Sequence, residues 1–593
     1  MYWNEHKKVI FYRLKREIIM KKPLLSEMTL REKIGQMLAP MHWDVYGKVE
    51  MEYDYSQSDI KDVKAIYEKE QFGVIRGEQV GVFYADPENE GQVEKIEGYV
   101  EGNLLANFTV KVNSAPYKKF IEKHNTYGKI PLLVGGDFGV GSAHVFKDGS
   151  WIVNANAIGA ADSEELTFEL GAAIARQMKC TGHNWRWCPP VDLGNRNNNM
   201  CMRTFAIDDV DRTIRLSKAY IKGMQSEGVA ACAKHFPSEG RIEARDAHLS
   251  ATSNTDSIET WWSEQGKVFK EMIDGGVYSV MVGHQSFPAV DDRKVDGRYV
   301  PSTISKKVIT DLLKGELGFK GVVVTDGIGM AALFSLFPYE QLIVELVNAG
   351  NDIILGAKLP SGDIIEAAVL DGRISEERIN DACQRVLDMK EKIGLFDDDY
   401  GVLSYTMEEA VADTLKISEE IAKRSITLVR DRYNLLPLNK KDIKKVSVII
   451  STHADGFVYE LEELKKAFNE RGIEVYMQRR LKSALELKEI SDNSDLIIYA
   501  ADVHMHAPAG YLRLFGDEAY TYYHAFNHGK EKSIGVSFGY PYVHYDTMEN
   551  APVFINAYNT RPETMKAFVA AILGEIEIVG KTPVLIEPRV NSR

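Results

Sequence analysis

Between about residues 28 and 396, short apolar runs alternate with longer segments that have the 3.6-residue periodicity of helices. This alternation is typical of parallel strands joined by crossover helices, so it predicts an α/β fold, either a closed (β/α)8 barrel or an open sheet. The clearest strand candidates lie at 130–137, 184–193, 228–236, 276–284, 321–327 and 351–356.

Most of these runs end on polar residues, which are Asp137, Asp192, Lys234 with His235, His284 and Asp326. One polar residue after a strand is usually a turn or cap residue. Five such endings are harder to explain in that way, and a (β/α)8 barrel builds its active site at the carboxyl ends of its strands. We therefore predict a TIM-like barrel with these residues at its mouth.

The length of 593 residues exceeds what a single hydrophobic core supports, so two or three domains are expected. A helix with a Ser163 cap is predicted over 163–179. A second, smaller α/β sandwich is predicted from strands at 446–451, 473–478, 495–501, 533–539 and 552–558. The predicted organisation is an N-terminal extension (1–22), a barrel (23–398) with an acidic insertion around 40–125, a linker (399–424) that becomes helical from about Met407, and the sandwich (425–593).

Composition excludes several classes of partner. A formal charge of −14 disfavours nucleic acid, and no apolar stretch approaches the roughly 20 residues of a membrane span. The basic start lacks the uninterrupted apolar centre of a signal peptide, so we expect the protein to be in the cytoplasm.

Five sparse cysteines predict buried, reduced thiols. No metal or nucleotide cofactor is implied, because the histidines are scattered and the sequence GGDFGVG lacks the glycine order of a dinucleotide-binding motif. A small glycoside or oligosaccharide fits as ligand, with the chain a monomer or homodimer.

The stretch LLKGELGFKGVVVTDGIG, residues 312–329, resembles the active-site signature of glycoside hydrolase family 3. In that family the aspartate after Ser or Thr is the catalytic nucleophile, which the resemblance places at Asp326. A carboxylate held by donors at a strand end stays ionised and can attack an anomeric carbon, which gives a glycosyl-enzyme.

A second motif, AKHFPSEGRIEARDAH at 233–248, is similar to the Lys-His-Phe-Pro loop and Asp-x-His dyad of the bacterial N-acetyl-β-glucosaminidase branch. There a histidine replaces the usual carboxylic acid as proton donor. The resemblance implies that His248 is the general acid and then the general base, and that Asp246 orients it. An imidazole suits this role because its unperturbed pKa of roughly 6.5 lies near the operating pH.

The same resemblance implies that Asp137, Arg203, Lys234 and His235 bind sugar hydroxyls, while Asp192 and His284 support them from behind. Two motifs depart from the family pattern. DFGVGSAH replaces Asp-x-Glu-Gly-Gly-Arg, and PSEG replaces Pro-Gly-His-Gly. The resemblance runs from about Lys33 to Val584, with 40–125 poorly matched, and the departures bear on which sugar is recognised.

These observations predict a retaining exo-β-glycosidase that hydrolyses terminal β-linked N-acetylglucosamine. Phosphorolysis is an alternative, because a histidine acid does not repel phosphate and Arg241 and Arg245 lie near the dyad. A β-glucosidase or xylosidase is another. The alternative without catalysis is a carbohydrate-binding protein on a degenerate glycosidase scaffold.

Overall fold

The computed structural model describes residues 21–40, 63–77, 93–95, 110–194, 196–333, 335–452, 461–504 and 513–586. The predicted N-terminal extension lies outside the described residues except for its last two, and so do large parts of the predicted insertion 40–125.

Eight short parallel strands form the first unit of the chain. Strands β2 to β7 pair in chain order as one curled sheet, and β1 pairs with β8. The two parts join where Thr325 N donates to Ile353 O at 3.1 Å and where Gly73 N donates to Gly35 O at 2.8 Å. The predicted TIM-like barrel is therefore confirmed. The strands are β1 Leu38–Pro40, β2 Val74–Arg76, β3 Leu133–Gly136, β4 Trp185–Arg186, β5 Ala230–Phe236, β6 Ser279–Val282, β7 Val322–Thr325 and β8 Ile354–Ala357.

Helices connect these strands on the outside. The cap predicted at Ser163 is confirmed, because its side chain accepts from Leu166 N at 3.3 Å. Helix α9 has π-helical hydrogen bonding. The barrel helices are α1 Leu30–Gly35, α2 Val63–Glu70, α3 Ser114–His124, α4 Ala155–Ala161, α5 Glu164–Cys180, α6 Val210–Ser226, α7 Ile258–Ser263, α8 Gln265–Asp274, α9 Lys307–Glu316, α10 Tyr339–Ala349, α11 Ser361–Leu370 and α12 Glu376–Lys392.

Part of the segment predicted as an insertion belongs to the barrel. Strand β2 and helices α2 and α3 lie within 40–125, and β2 pairs with β3 in the main sheet. A three-residue strand is too short to stand out as an apolar run, which is why the sequence pattern missed it. Two short antiparallel pairs lie outside the barrel ring: Val93–Lys95 with Val110–Val112, and Lys294–Val295 with Arg298–Tyr299.

The barrel interior is filled by inward-facing side chains of the strands. Trp185 and Trp187 pack edge to face with ring centroids 5.7 Å apart, and both are almost fully buried. A Cβ at Gly135 would lie 2.5 Å from the Trp187 ring, so only glycine fits there. The filled interior leaves the carboxyl ends of the strands as the place for a site.

The second unit is a six-stranded sheet with helices on both faces, which confirms the predicted α/β sandwich. Its strand order is β9-β14-β13-β12-β10-β11, and all neighbours are parallel except β9 with β14. The strands are β9 Thr427–Asp431, β10 Lys445–Thr452, β11 Glu474–Arg479, β12 Leu496–Asp502, β13 Ser533–Ser537 and β14 Val553–Asn556. The helices are α13 Met407–Ser425, α14 Glu462–Asn469, α15 Ala484–Asn493, α16 Gly516–His524, α17 Val543–Asp546 and α18 Pro562–Ile572.

Helix α13 begins at Met407, as predicted, behind a Thr406 cap that accepts from Glu409 N. It packs against α5 of the barrel and α18 of the sandwich, so it ties the two units together. Among the helices in the described ranges, none combines the length and the apolar character needed to cross a bilayer.

Candidate active site

The carboxylate of Asp326 lies at the carboxyl end of β7. Its backbone N donates to Val282 O of the neighbouring strand at 2.9 Å, which fixes the residue in the sheet. Its Oδ1 accepts from Gly327 N at 2.7 Å, and its Oδ2 lies 4.0 Å from His235 Nε2. The side chain keeps 21% of its surface exposed. An anchored carboxylate therefore remains open to the barrel mouth.

Basic side chains keep this carboxylate ionised. Burial alone would raise the pKa of Asp326, but its electrostatic interactions with His235, His284, Lys234 and His248 outweigh burial and lower the pKa to about 2. These groups come from the ends of two strands, β5 and β6, and from the loop after β5. The arrangement suits a nucleophile, which must carry its charge before substrate arrives.

His235 is oriented by a fully buried carboxylate. Asp192 accepts from His235 Nδ1 at 2.9 Å and from its backbone N at 3.2 Å. The carboxylate fixes the proton on Nδ1, so Nε2 faces Asp326. Asp192 thus contacts His235 on the side of the ring away from Asp326.

Lys234 and Asp137 form an ion pair across the ends of β5 and β3, with Nζ and Oδ1 2.7 Å apart. Lys234 is almost buried, whereas the side chain of Asp137 keeps 43% of its surface exposed. Burial would raise the pKa of Asp137, but the charges of Lys234, Arg76 and Arg203 hold it far below the usual range. Three cations therefore surround one carboxylate, a set that can bind several hydroxyl groups at once.

Arg76 is a site residue that the sequence reasoning missed. It is the last residue of β2, so it occupies the same strand-end position as the predicted residues. The available signal was the short sequence VIRG, two β-branched residues followed by a charge, inside the segment interpreted as an insertion.

His284 contacts the backbone that follows Asp326. Its Nε2 donates to Gly327 O at 2.9 Å, and its Nδ1 lies 3.0 Å from the hydroxyl of Thr303. Burial lowers the pKa of His284, and the attraction of Asp326 counters this only in part. A neutral imidazole has one N–H, which the carbonyl oxygen of Gly327 requires, so the hydroxyl of Thr303 donates to Nδ1. His284 thereby fixes the peptide that follows Asp326.

The predicted dyad forms within a tight loop after β5. Oδ1 of Asp246 accepts from His248 Nδ1 at 2.8 Å and from His248 N at 2.9 Å. The Asp246 side chain is 1% exposed and the His248 side chain 36%. The carboxylate therefore anchors one face of the imidazole and leaves Nε2 toward solvent, as a proton donor requires.

Glu243 stabilises the loop that carries the dyad. Its carboxylate accepts from the backbone N of Ala244, Arg245 and Ser253, all at 3.0 Å. It also binds the guanidinium of Arg245 through two nitrogens. The loop thus has a fixed backbone although it contains no helix or strand.

Comparison with known proteins places this site in a family. Residues 29–389 match the family described as glycosyl hydrolase family 3 N terminal domain, which covers the whole barrel from α1 to α12. The chain belongs to glycoside hydrolase family 3. The predicted family and the prediction of an enzyme are therefore confirmed. The relatives do not support the alternative of a sugar-binding protein without catalysis.

Relatives of this family 3 glycosidase span both of its units. A Cellulomonas fimi protein named beta-N-acetylglucosaminidase/beta-glucosidase is 28% identical over 539 residues, which are 85% of this chain and 91% of that one. A family 3 β-N-acetylglucosaminidase structure from Paenibacillus sp. str. FPU-7 has a TM-score of 0.73 at 25% identity, covering 94% of this chain and 99% of that one. A β-glucoside phosphorylase structure has a TM-score of 0.75 at 23% identity over 94% of each chain, which shows the shared fold.

Glu239 of the PSEG motif gives this family 3 glycosidase a buried acid beside its site. Glu239 keeps only 6% of its surface exposed. Within the described residues, its Oε2 has no hydrogen-bond partner. Burial and the carboxylates of Asp192 and Asp246 raise the pKa of Glu239 well above its usual range, and Arg203 offsets this only in part. Glu239 is therefore harder to ionise than an ordinary carboxyl group. The sequence marked the motif as a departure but did not place Glu239 in the site.

The second unit of the glycosidase holds the loop that carries Arg203. Met200, Cys201 and Met202 are buried in one hydrophobic cluster with Tyr540 and Tyr542 of the sandwich, and the sulfur of Met200 lies 3.5 Å from a guanidinium nitrogen of Arg203. The loop between β4 and α6 is therefore packed between the two units.

Polar contacts fasten the same loop a few residues earlier. Tyr540 OH donates to Arg196 O at 2.7 Å, and the Arg196 guanidinium lies 3.7 Å from the centre of the Tyr545 ring. Arg513 donates to the side chain of Asn197 at 2.9 Å. The sandwich thus shares in the construction of the barrel mouth.

The two arginines considered for phosphate are both engaged. Arg241 forms an ion pair with Glu264, and Arg245 forms a two-nitrogen pair with Glu243. Within the ranges that the structure describes, no group of three or more His, Cys, Asp or Glu side chains is arranged to hold a metal ion. The chemistry available here is that of carboxylates, imidazoles and cationic side chains.

Proposed function

We propose that this glycosidase is a retaining exo-β-glycosidase that hydrolyses terminal β-linked N-acetylglucosamine. The observation that carries the proposal is the pairing of an ionised carboxylate, Asp326, with an imidazole anchored by Asp246 at the same barrel mouth. A retaining glycosidase needs these two functions: a nucleophile that is charged, and a separate group that gives and then takes a proton.

The first step transfers the glycosyl group to Asp326. Its carboxylate attacks the anomeric carbon while His248 Nε2 gives a proton to the leaving oxygen, and the bond between that carbon and oxygen breaks. Asp246 stabilises the imidazolium before transfer through the 2.8 Å bond to Nδ1. In the second step His248 takes a proton from water, whose oxygen bonds to the anomeric carbon as the ester to Asp326 breaks.

The cationic pocket around Asp137 is the proposed sugar-binding part. Lys234, His235 and Arg203 would donate to hydroxyl oxygens, and Asp137 would accept from hydroxyl groups. Such charge-assisted bonds can tighten as positive charge develops at the anomeric centre. The preference for N-acetylglucosamine rests on the resemblance of the dyad motif and on the name of the Cellulomonas fimi relative, which also includes β-glucosidase.

Phosphorolysis is a second candidate, favoured by the histidine in the dyad. A neutral imidazole at the acid/base position leaves no carboxylate there to repel phosphate. In that reaction a phosphate oxygen, instead of water, would bond to the anomeric carbon as the ester to Asp326 breaks, which yields a glycosyl phosphate.

The test is turnover of aryl β-glycosides of N-acetylglucosamine, glucose, xylose and galactose, with and without phosphate. Asp326→Asn and His248→Ala are the variants, and the anomer of the first-formed product is read by NMR. Retention with the N-acetylglucosaminide as best substrate, lost in Asp326→Asn, is expected. Inversion would overturn the mechanism, preference for another sugar would overturn the substrate, and a product glycosyl phosphate would select phosphorolysis.

A cytoplasmic location is part of the proposal. All five cysteines are free thiols, and four of them are buried, which fits a reducing compartment. Cell fractionation with activity as readout tests the location, and size-exclusion chromatography with light scattering separates a monomer from a homodimer.

A further inference from the structure

A cavity of about 290 Å³ opens beside the candidate active site. Four parts of the barrel mouth form its walls: the dyad loop, the segment after β6, the 294–299 hairpin and the segment after β7. The residues that matter here are Arg245 and Ser253, His284 and Ser286, and Arg298 and Tyr299.

The cavity shares walls with the reaction centre. His284 lines it and also donates to Gly327 O, next to the proposed nucleophile. Arg245 lines it and directly precedes Asp246 of the dyad. Since His248 would protonate the leaving oxygen, the leaving group lies on the dyad side of the sugar, and the cavity is the space next to the dyad loop.

The charged side chains that line the cavity are cationic. Two guanidinium groups line the cavity, and no carboxylate does. Arg298 is exposed and forms no ion pair with any residue in the described part of the chain. Arg245 is held by Glu243 through Nε and Nη2, so its Nη1 remains outside that pair. An anion is the group that two such donors bind best.

The uncharged part of the lining suits a sugar or an aromatic ring. The hydroxyls of Ser253 and Ser286 lie 2.9 Å apart and can bind a ligand oxygen. Tyr299 keeps 39% of its surface exposed, with Lys294 packed 4.6 Å from its ring centre. A ring that carries an anionic group would therefore find a stacking face and a cation together.

We propose that this cavity is a leaving-group subsite that binds an anionic group, either a carboxylate or phosphate on the aglycone or free inorganic phosphate. The proposal rests on the proposed glycosidase function, because that function places the aglycone beside the dyad. It implies that natural substrates have an acidic aglycone unless phosphate itself is the occupant.

The test compares two substrates that differ only in charge, 4-carboxyphenyl and 4-carbamoylphenyl β-N-acetylglucosaminide. Wild type is expected to prefer the carboxylate by about three- to tenfold in kcat/KM, the size of one partly exposed charged contact. Arg298→Gln should bring the ratio to about one by lowering kcat/KM for the carboxylate substrate. Lys320→Gln, which removes one positive charge at an exposed position outside the cavity lining, should keep the preference.

Inorganic phosphate separates the two sources of the anion. If phosphate is the occupant, it raises turnover of both substrates saturably, a glycosyl phosphate forms, and Arg298→Gln raises the phosphate concentration required. If the aglycone is the occupant, phosphate only competes with the carboxyphenyl substrate. If wild type has equal kcat/KM for the two substrates and phosphate has no effect on either, the proposed subsite is wrong.

Direct binding keeps the two proposals separate. Titration calorimetry with phosphate and with 4-hydroxybenzoate on wild type and Arg298→Gln tests the subsite without turnover. If Arg298→Gln weakens binding about three- to tenfold, the subsite is supported even when neither glycoside is hydrolysed. Absence of hydrolysis would then count only against the proposed glycosidase function. Equal binding by both proteins overturns the subsite even where hydrolysis is fast.

Discussion

Replacing Asp246 by asparagine would remove one charge from the dyad while keeping its shape. The side chain is 1% exposed, and its Oδ1 holds His248 through bonds of 2.8 Å to Nδ1 and 2.9 Å to the backbone N. An asparagine oxygen can still accept a hydrogen bond, so the loop should keep its backbone. What is lost is the negative charge that stabilises the imidazolium.

The size of the effect follows from this one bond. A hydrogen bond to a charged group contributes about 1.5–3 kcal/mol and a neutral one about 0.5–1.5 kcal/mol, so loss of the charge costs about 1–1.5 kcal/mol. Since about 1.4 kcal/mol corresponds to a tenfold rate change, Asp246→Asn is expected to lower kcat/KM about 5- to 13-fold for a phenyl glycoside, whose leaving group needs a proton. For a dinitrophenyl glycoside, which leaves without one, the loss should be less than about twofold.

A double-mutant cycle decides whether Asp246 acts through His248. In the His248→Ala background, Asp246→Asn should cost nothing further with the phenyl glycoside, because there is no imidazole left to orient. Equal losses with both leaving groups, or full additivity of the two substitutions, would refute the reasoning. Thermal unfolding of each variant checks that the loop and the barrel are intact.

Three further predictions concern other parts of the barrel. Because the pKa of Asp326 is depressed to about 2, its charge persists as the pH falls from neutral, and inactivation by a 2-fluoro glycoside should not decline with a midpoint near about pH 4, where an ordinary carboxyl titrates. Asp192→Asn, which frees the imidazole of His235, should lower kcat/KM at least about tenfold, and an unchanged value in steady-state assays would contradict the assigned role. Asp352→Ala, which takes away the 2.7 Å partner of the buried Lys314, should cost about 3–5 kcal/mol of unfolding free energy in urea titration, and a loss under about 1 kcal/mol would be inconsistent with a buried ion pair.

The sequence pattern predicted those parts of the fold whose signal is local. Strands β5, β7 and β10 were visible as apolar runs, and the polar residues at the ends of β5 and β7 pointed to the barrel mouth. Strand β2 was not visible, because three residues between two poorly patterned segments carry no periodicity. Arg76 was missed together with that strand.

Side-chain arrangement at the site was only partly predictable. Motif spacing placed Asp246 two residues before His248, which suffices for the 2.8 Å contact. Contacts between distant segments left no such trace. The raised pKa of Glu239 depends on burial beside two carboxylates, and the packing of Tyr540 against the Arg203 loop joins residues more than three hundred positions apart. Such features arise from tertiary packing and not from any local pattern.

The contact between the sandwich and the loop before Arg203 has a consequence for biosynthesis. The ribosome delivers all eight barrel strands, Asp326 and the dyad before it adds Tyr540 and Tyr545, which hold Arg196. During that interval a nascent barrel would have Asp326 and the dyad but not the contacts that fasten the loop before Arg203. Folding of the C-terminal unit is then the step that completes this part of the barrel mouth.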